Sequence, residues 1–177
     1  MHICAIAPRL GRGCKIVALN SLNVLIVDDH PHMRSILLQV VKSTGVERIH
    51  LAKDSAQALQ IIRDQDIDIL ITDMAMEPFD GIDLVRMIRR SPDSTKPLLP
   101  VLMVTGHMTL SRIQEARDAG VNEFAAKPIS VKAVLERLAA IIDKPRDFIR
   151  APEYFGPDRR RRKNAEDVKP RRRKSDK

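Results

Sequence analysis

Residues 22–31 read L-N-V-L-I-V-D-D-H-P. Residues 24–27 are four apolar residues in a row, three of them β-branched. A run of that length without alternation predicts a strand buried on both faces. It stops at two acids, Asp28 and Asp29. Pro31, four residues past the strand, suits the first turn of a helix. A buried strand that ends in carboxylates and turns at once into a helix predicts one unit of a parallel sheet.

The same texture recurs along the chain. Apolar runs occupy 67–72 (I-D-I-L-I-T) and 99–104 (L-P-V-L-M-V), with weaker ones at 48–51 and 122–126. Between them lie segments with apolar residues at three- and four-residue spacing: 32–43, 55–64, 82–90, 110–119 and 131–142. Asp54 with Gln57 forms a capping-box pattern, and Asp80, Thr109 and Ser130 fit N-caps. Gly45 and Gly120 fall where helices should stop. Five strand–helix units predict a doubly wound α/β domain over residues 22–143.

The flanks differ. The chain has 177 residues and a net charge of +8. Residues 144–177 hold 14 Lys/Arg against 6 Asp/Glu, and residues 22–143 hold 14 against 17. The excess positive charge therefore lies outside the predicted domain. Residues 144–177 carry prolines and two basic runs, so they are expected to form a mobile basic tail. Residues 1–21 show no clean period and are expected to be poorly ordered, with a natural start near Val17. Their basic residues follow rather than precede the apolar part, against a secretory signal. The longest stretch free of Lys, Arg, Asp and Glu, 97–111, is too short for the ~20 residues of a membrane span. Cys4 and Cys14 are too few for a disulfide scaffold and are read as incidental thiols, so a cytoplasmic location is expected.

Ligands of an open parallel sheet bind beyond the carboxyl ends of its strands. There the sequence places Asp28 and Asp29, Asp73, Thr105 with Gly106, and Lys127 with Pro128. Asp28-Asp29 alone could be a helix cap, and Thr105-Gly106 alone an ordinary turn. Together, three carboxylates, a hydroxyl and an ammonium on one sheet edge form a chemical set. The carboxylates repel, and a hard divalent cation with oxygen ligands relieves that repulsion; Mg2+ fits. A carboxylate nucleophile beside such a cation, a lysine and a hydroxyl is an arrangement for phosphoryl transfer. His30, His32 and His107 lack the spacing of a Cys/His metal set and are read as solvated.

These motifs, V-L-I-V-D-D at 24–29, D-M-A-M-E-P-F-D-G at 73–81, V-T-G at 104–106 and F-A-A-K-P at 124–128, resemble the receiver domain of bacterial two-component response regulators, here a stand-alone chemotaxis-type receiver. The resemblance implies a flavodoxin-like sheet of strand order 2-1-3-4-5. It implies Asp73 as phospho-acceptor, and Asp29, Asp73 and the Ala75 main-chain carbonyl as direct Mg2+ ligands, with Asp28 holding the metal through water. Lys127 meets the phosphoryl group, and its bond to Pro128 is expected to be cis. Thr105 and Phe124 are the switch pair. A sensor histidine kinase or histidine phosphotransfer protein would be the donor. The only catalysis implied is self-phosphorylation and autodephosphorylation. Output would pass through the fourth helix, fifth strand and fifth helix, residues 109–143, to a downstream protein or a phosphorylation-dependent homodimer.

Two departures from the pattern stand out. Met76, Glu77 and Pro78 replace an adjacent Met-Pro. Ala75 and His107 occupy the positions that flank the attacking water. Alternatives are a phosphorelay shuttle and a regulator whose tail binds nucleic acid. For the tail, a solvated extension or a protein-docking peptide (Tyr154 to Arg159) is favoured over contact with nucleic acid or membrane.

Overall fold

The computed structural model describes residues 19–106, 109–151 and 154–159. Five strands alternate with five helices: β1 Asn23–Val27, α1 Pro31–Ser43, β2 Arg48–Ala52, α2 Ser55–Asp64, β3 Ile69–Asp73, α3 Gly81–Arg90, β4 Val101–Thr105, α4 Leu110–Ala119, β5 Glu123–Ala126 and α5 Val131–Asp143. The strands form one parallel sheet in the order β2-β1-β3-β4-β5, the expected flavodoxin-like topology.

Alternation along the central strands feeds two cores. Leu25, Val27, Leu70, Val101 and Met103 face α2, α3 and α4. Val24, Ile26, Ile69, Ile71, Leu102 and Val104 face α1 and α5. The central strands are buried on both faces because helices cover both, which is why their sequences do not alternate. Leu19 joins the second core, so the domain includes residues before 22. The remaining expectations for the N-terminal segment, including Cys4 and Cys14, lie outside the described residues.

Helix ends follow their sequence signals. Asp54, Asp80, Thr109 and Ser130 each accept a bond from the amide three residues on. The capping-box glutamine reaches the Lys53 amide rather than that of Asp54 (2.9 Å). Gly120 ends α4 at φ 103°, a left-handed conformation that other residues enter at a cost.

One expectation is corrected. The segment expected to be mobile from Lys144 onward holds ordered strands over residues 148–151 and 154–157. β6 Phe148–Ala151 and β7 Tyr154–Pro157 pair as an antiparallel hairpin that rests on α3 and α4. The Phe148 and Phe155 rings lie 5.9 Å apart, and the Arg89 guanidinium sits 5.0 Å from the Phe148 centroid. Arg89 is buried and donates to Gly120 O, Pro97 O and Asn122 Oδ1. Burial pushes its guanidinium down to about 9, so it stays charged at neutral pH. The hairpin is held by cation–π contacts, backbone pairing and a close approach of Gly156 to Gly120, none of which shows as apolar periodicity. The basic residues from Arg160 onward lie outside the described residues.

Candidate functional site

Three of the strand ends converge. Asp28 and Asp29 follow β1, Asp73 closes β3, and Lys127 follows β5. Because β1, β3 and β4 are adjacent and in register, Asp28 and Asp73 meet across the strand tops. The Lys127 ammonium bridges them, 2.9 Å from Asp73 Oδ1 and 3.7 Å from Asp28 Oδ2. Asp73 Oδ1 also accepts from the Met74 amide (2.9 Å). Both donors fall on Oδ1.

The loop after Asp73 is built around its main chain. Gly81 donates its amide to Met74 O, and a side-chain carbon at Gly81 would lie 2.0 Å from the Asp73 carbonyl oxygen. Glycine is required there because α3 starts directly on the Asp73 backbone. The peptides Glu77–Pro78 and Lys127–Pro128 are both cis.

Asp28 is fully buried. Its Oδ1 accepts the His30 amide (2.9 Å), and its Oδ2 accepts no hydrogen bond. Burial, with Asp73 and Asp29 nearby, pushes its carboxyl above the usual carboxylate range, although the His30 amide and Lys127 oppose the shift. An orphaned, buried carboxylate oxygen beside two further carboxylates fits a hard cation with oxygen ligands. His30 is solvated as expected. Its ring is largely exposed, yet Nδ1 lies 2.7 Å from Asp29 Oδ1, and Asp28, Asp29 and His30 bring their ligand atoms within 4.8 Å of one another. The helix-cap reading of Asp28-Asp29 fails: His30 is the N-cap of α1, and no side chain caps it.

A cavity of about 340 Å3 opens over Asp73, lined by Asp73, Met74, Ala75, Thr105, Gly106, Thr109, Arg112 and Lys127. Thr105 is buried at the end of β4. Phe124 pairs with Met103 in the β4–β5 register, so it shares a sheet face with Thr105, two residues on from Met103. Phe124 is half-buried against the core beneath that face. His107 lies outside the described residues. The sequence reading missed Arg112, which carries no motif and is brought to the cavity by one turn of α4.

The response regulator receiver domain family matches residues 24–139. This chain belongs to that family. The receiver is 35% identical over 123 residues to the chemotaxis protein CheY of Pseudomonas aeruginosa, covering 70% of this chain and 98% of that one. A crystal structure of a putative response regulator from Chloroflexus aurantiacus matches with a TM-score of 0.63 at 29% identity, over 70% of this chain and 98% of that one. CheY4 of Vibrio cholerae matches with a TM-score of 0.63 at 25% identity, over 68% and 98%. The protein is thus a chemotaxis-type receiver domain of two-component signalling, a module that receives phosphoryl groups. Among the described residues, no helix is long and apolar enough to cross a membrane.

Proposed function

We propose that this receiver accepts a phosphoryl group on Asp73 from the phosphohistidine of a sensor kinase or phosphotransfer domain, and that the acyl phosphate switches a binding face. The observation that carries this reading is the Lys127–Asp73 contact of 2.9 Å beside the unbonded Asp28 oxygen.

Asp73 Oδ2 attacks phosphorus as the phosphorus–nitrogen bond to the donor imidazole breaks; that nitrogen keeps the electron pair and the acyl phosphate forms. Lys127 moves little, since its ammonium already touches the acceptor, and it neutralises phosphoryl charge as that charge approaches. Asp29, Asp73 and the Ala75 carbonyl, with Asp28 through water, are the groups that would hold Mg2+. Bound there, Mg2+ supplies the remaining positive charge toward the phosphoryl oxygens. Hydrolysis reverses the modification: water attacks phosphorus, the phosphorus–oxygen bond to Asp73 breaks, and the carboxylate returns. Ala75 has no group with which to orient that water.

Thr105 and Phe124 share one sheet face, so a Thr105 hydroxyl drawn toward the phosphoryl group opens space into which Phe124 can turn. The surface of α4, β5 and α5 changes with them. Leu110 at the start of α4 is 86% exposed, and Leu135 on α5 is 40% exposed; both offer apolar contacts to a downstream protein or a second receiver.

Incubation with acetyl phosphate and Mg2+, followed by intact-mass measurement, tests the reading. Wild type should gain one phosphoryl mass and Asp73→Asn none. Equal gain in both would place the acceptor elsewhere.

A further inference from the structure

Arg112 belongs to none of the chemistry above, yet it lines the acceptor cavity and reaches across to another element. One guanidinium nitrogen donates to Asp80 Oδ2 (2.6 Å), the N-cap of α3 at the end of the phosphorylation loop. The other donates to Glu115 Oε2 (2.7 Å) on its own helix. Glu115 Oε1 accepts from Arg86 of α3 (2.8 Å), which also holds Asp83 (3.0 Å). Two cations and three carboxylates alternate, and the chain of bonds crosses from α3 to α4 twice. Burial disfavours ionised Asp80, but Arg112 and the amides of Asp83 and Ile82 outweigh it and hold its carboxyl below the usual range.

The rest of α4 is weakly anchored. Its buried residues are Ala116 and Ala119, two small side chains, whereas α3 buries Ile82, Leu84, Val85 and Ile88. The far end of α4 has its own tether. Arg159 pairs with Asp118 (2.9 Å), and Gly156 of the hairpin packs on Gly120. The helix is thus pinned at its C-terminal end by the hairpin and at its N-terminal end, beside Thr105, by the ion pairs.

We propose that Arg112–Asp80 and Arg86–Glu115 form an ionic latch that holds the N-terminal end of α4 against the phosphorylation loop and sets how readily phosphorylation at Asp73 releases it. This rests on the receiver reading above. Arg112 is a positioning residue: it acts on α4, not on phosphorus. The pairs are partly exposed, so each is worth a few-fold and together about tenfold in an equilibrium. That size suits a switch whose active conformation is a minor population: large enough to bias it and small enough for one modification to overcome.

The test uses the full chain and the variants Arg112→Gln, Arg112→Lys and Glu115→Gln. Without phosphodonor, amide exchange over α4 should quicken in Arg112→Gln and Glu115→Gln, while β1, β3 and β4 keep wild-type protection. With acetyl phosphate and Mg2+, both should be phosphorylated about three- to tenfold faster than wild type. Their double variant should gain less than the product of the two, and Arg112→Lys should fall between. If Arg112→Gln does not fold, Glu115→Gln still breaks one of the two crossings. A phosphorylation rate in the folded variants equal to or below that of wild type would overturn the latch alone. Failure of wild type itself to be phosphorylated would overturn the reading of Asp73 as phospho-acceptor, and the switching role with it.

Discussion

Asp28 is the residue at which this domain trades stability for chemistry. Its folded carboxyl titrates above the ordinary 3.8, so the folded state holds that proton more tightly than the unfolded chain does. Stability therefore falls as pH rises from 3.8 through the raised value, and the loss persists at neutral pH. Asp28→Asn should stabilise the metal-free protein at pH 7 by about 1 kcal/mol in urea unfolding. It should weaken Mg2+ binding at least tenfold, read by titration calorimetry. Asp80 and Glu115 behave oppositely. The guanidinium contacts hold both below their ordinary values of 3.8 and 4.5. Their contribution is present in full above those values and is lost as pH falls through the lowered folded ones. On acidification, exchange protection of α4 should therefore fall before that of the central strands; simultaneous loss would contradict the assignment. Gly81→Ala should cost about 1–3 kcal/mol in unfolding free energy, because the added carbon would meet the Asp73 carbonyl. Asp73, Lys127 and Thr105 were legible in the sequence, since each ends or follows an apolar strand. The Asp29 contact of His30 and the reach of Arg112 were not, because both depend on which way a side chain turns at a helix start, His30 as the N-cap of α1 and Arg112 in the first turn of α4.

The elements followed their sequence patterns wherever burial drives them. β1, β3 and β4 were visible as apolar runs because both of their faces are covered. The hairpin was invisible for the complementary reason. Its five polar or small residues out of eight carry no period, and it is attached through the Arg89–Phe148 contact and the approach of Gly156 to Gly120. The physical lesson concerns Arg89. Its cation is buried among carbonyls and a ring rather than beside a carboxylate, and a charge so placed needs its cover. Phe148→Ala should cost about 1–2 kcal/mol, seen as a melting temperature lowered by about 2–4 °C for each kcal/mol. Truncation after Asp143 should cost more than that single change. A truncated domain as stable as the full chain would show that the hairpin contributes nothing to α3 and α4.

At the scale of the molecule, the parallel topology brings residues far apart in the chain to one edge: Asp28, Asp73 and Lys127 each close a different unit. The two ends of α4 are held by different means, one by ion pairs beside the acceptor and one by the hairpin. A charge added at Asp73 therefore has a lever to act on. The central claim is that Asp73 carries the phosphoryl group. Its most direct test is reductive trapping: phosphorylation with acetyl phosphate and Mg2+, quenching with borohydride, and peptide mass mapping. Borohydride reduces an aspartyl phosphate to homoserine. Homoserine at position 73, absent when Mg2+ is withheld, is the predicted result. An unmodified Asp73 alongside homoserine at Asp28, Asp29 or any other aspartate would contradict it.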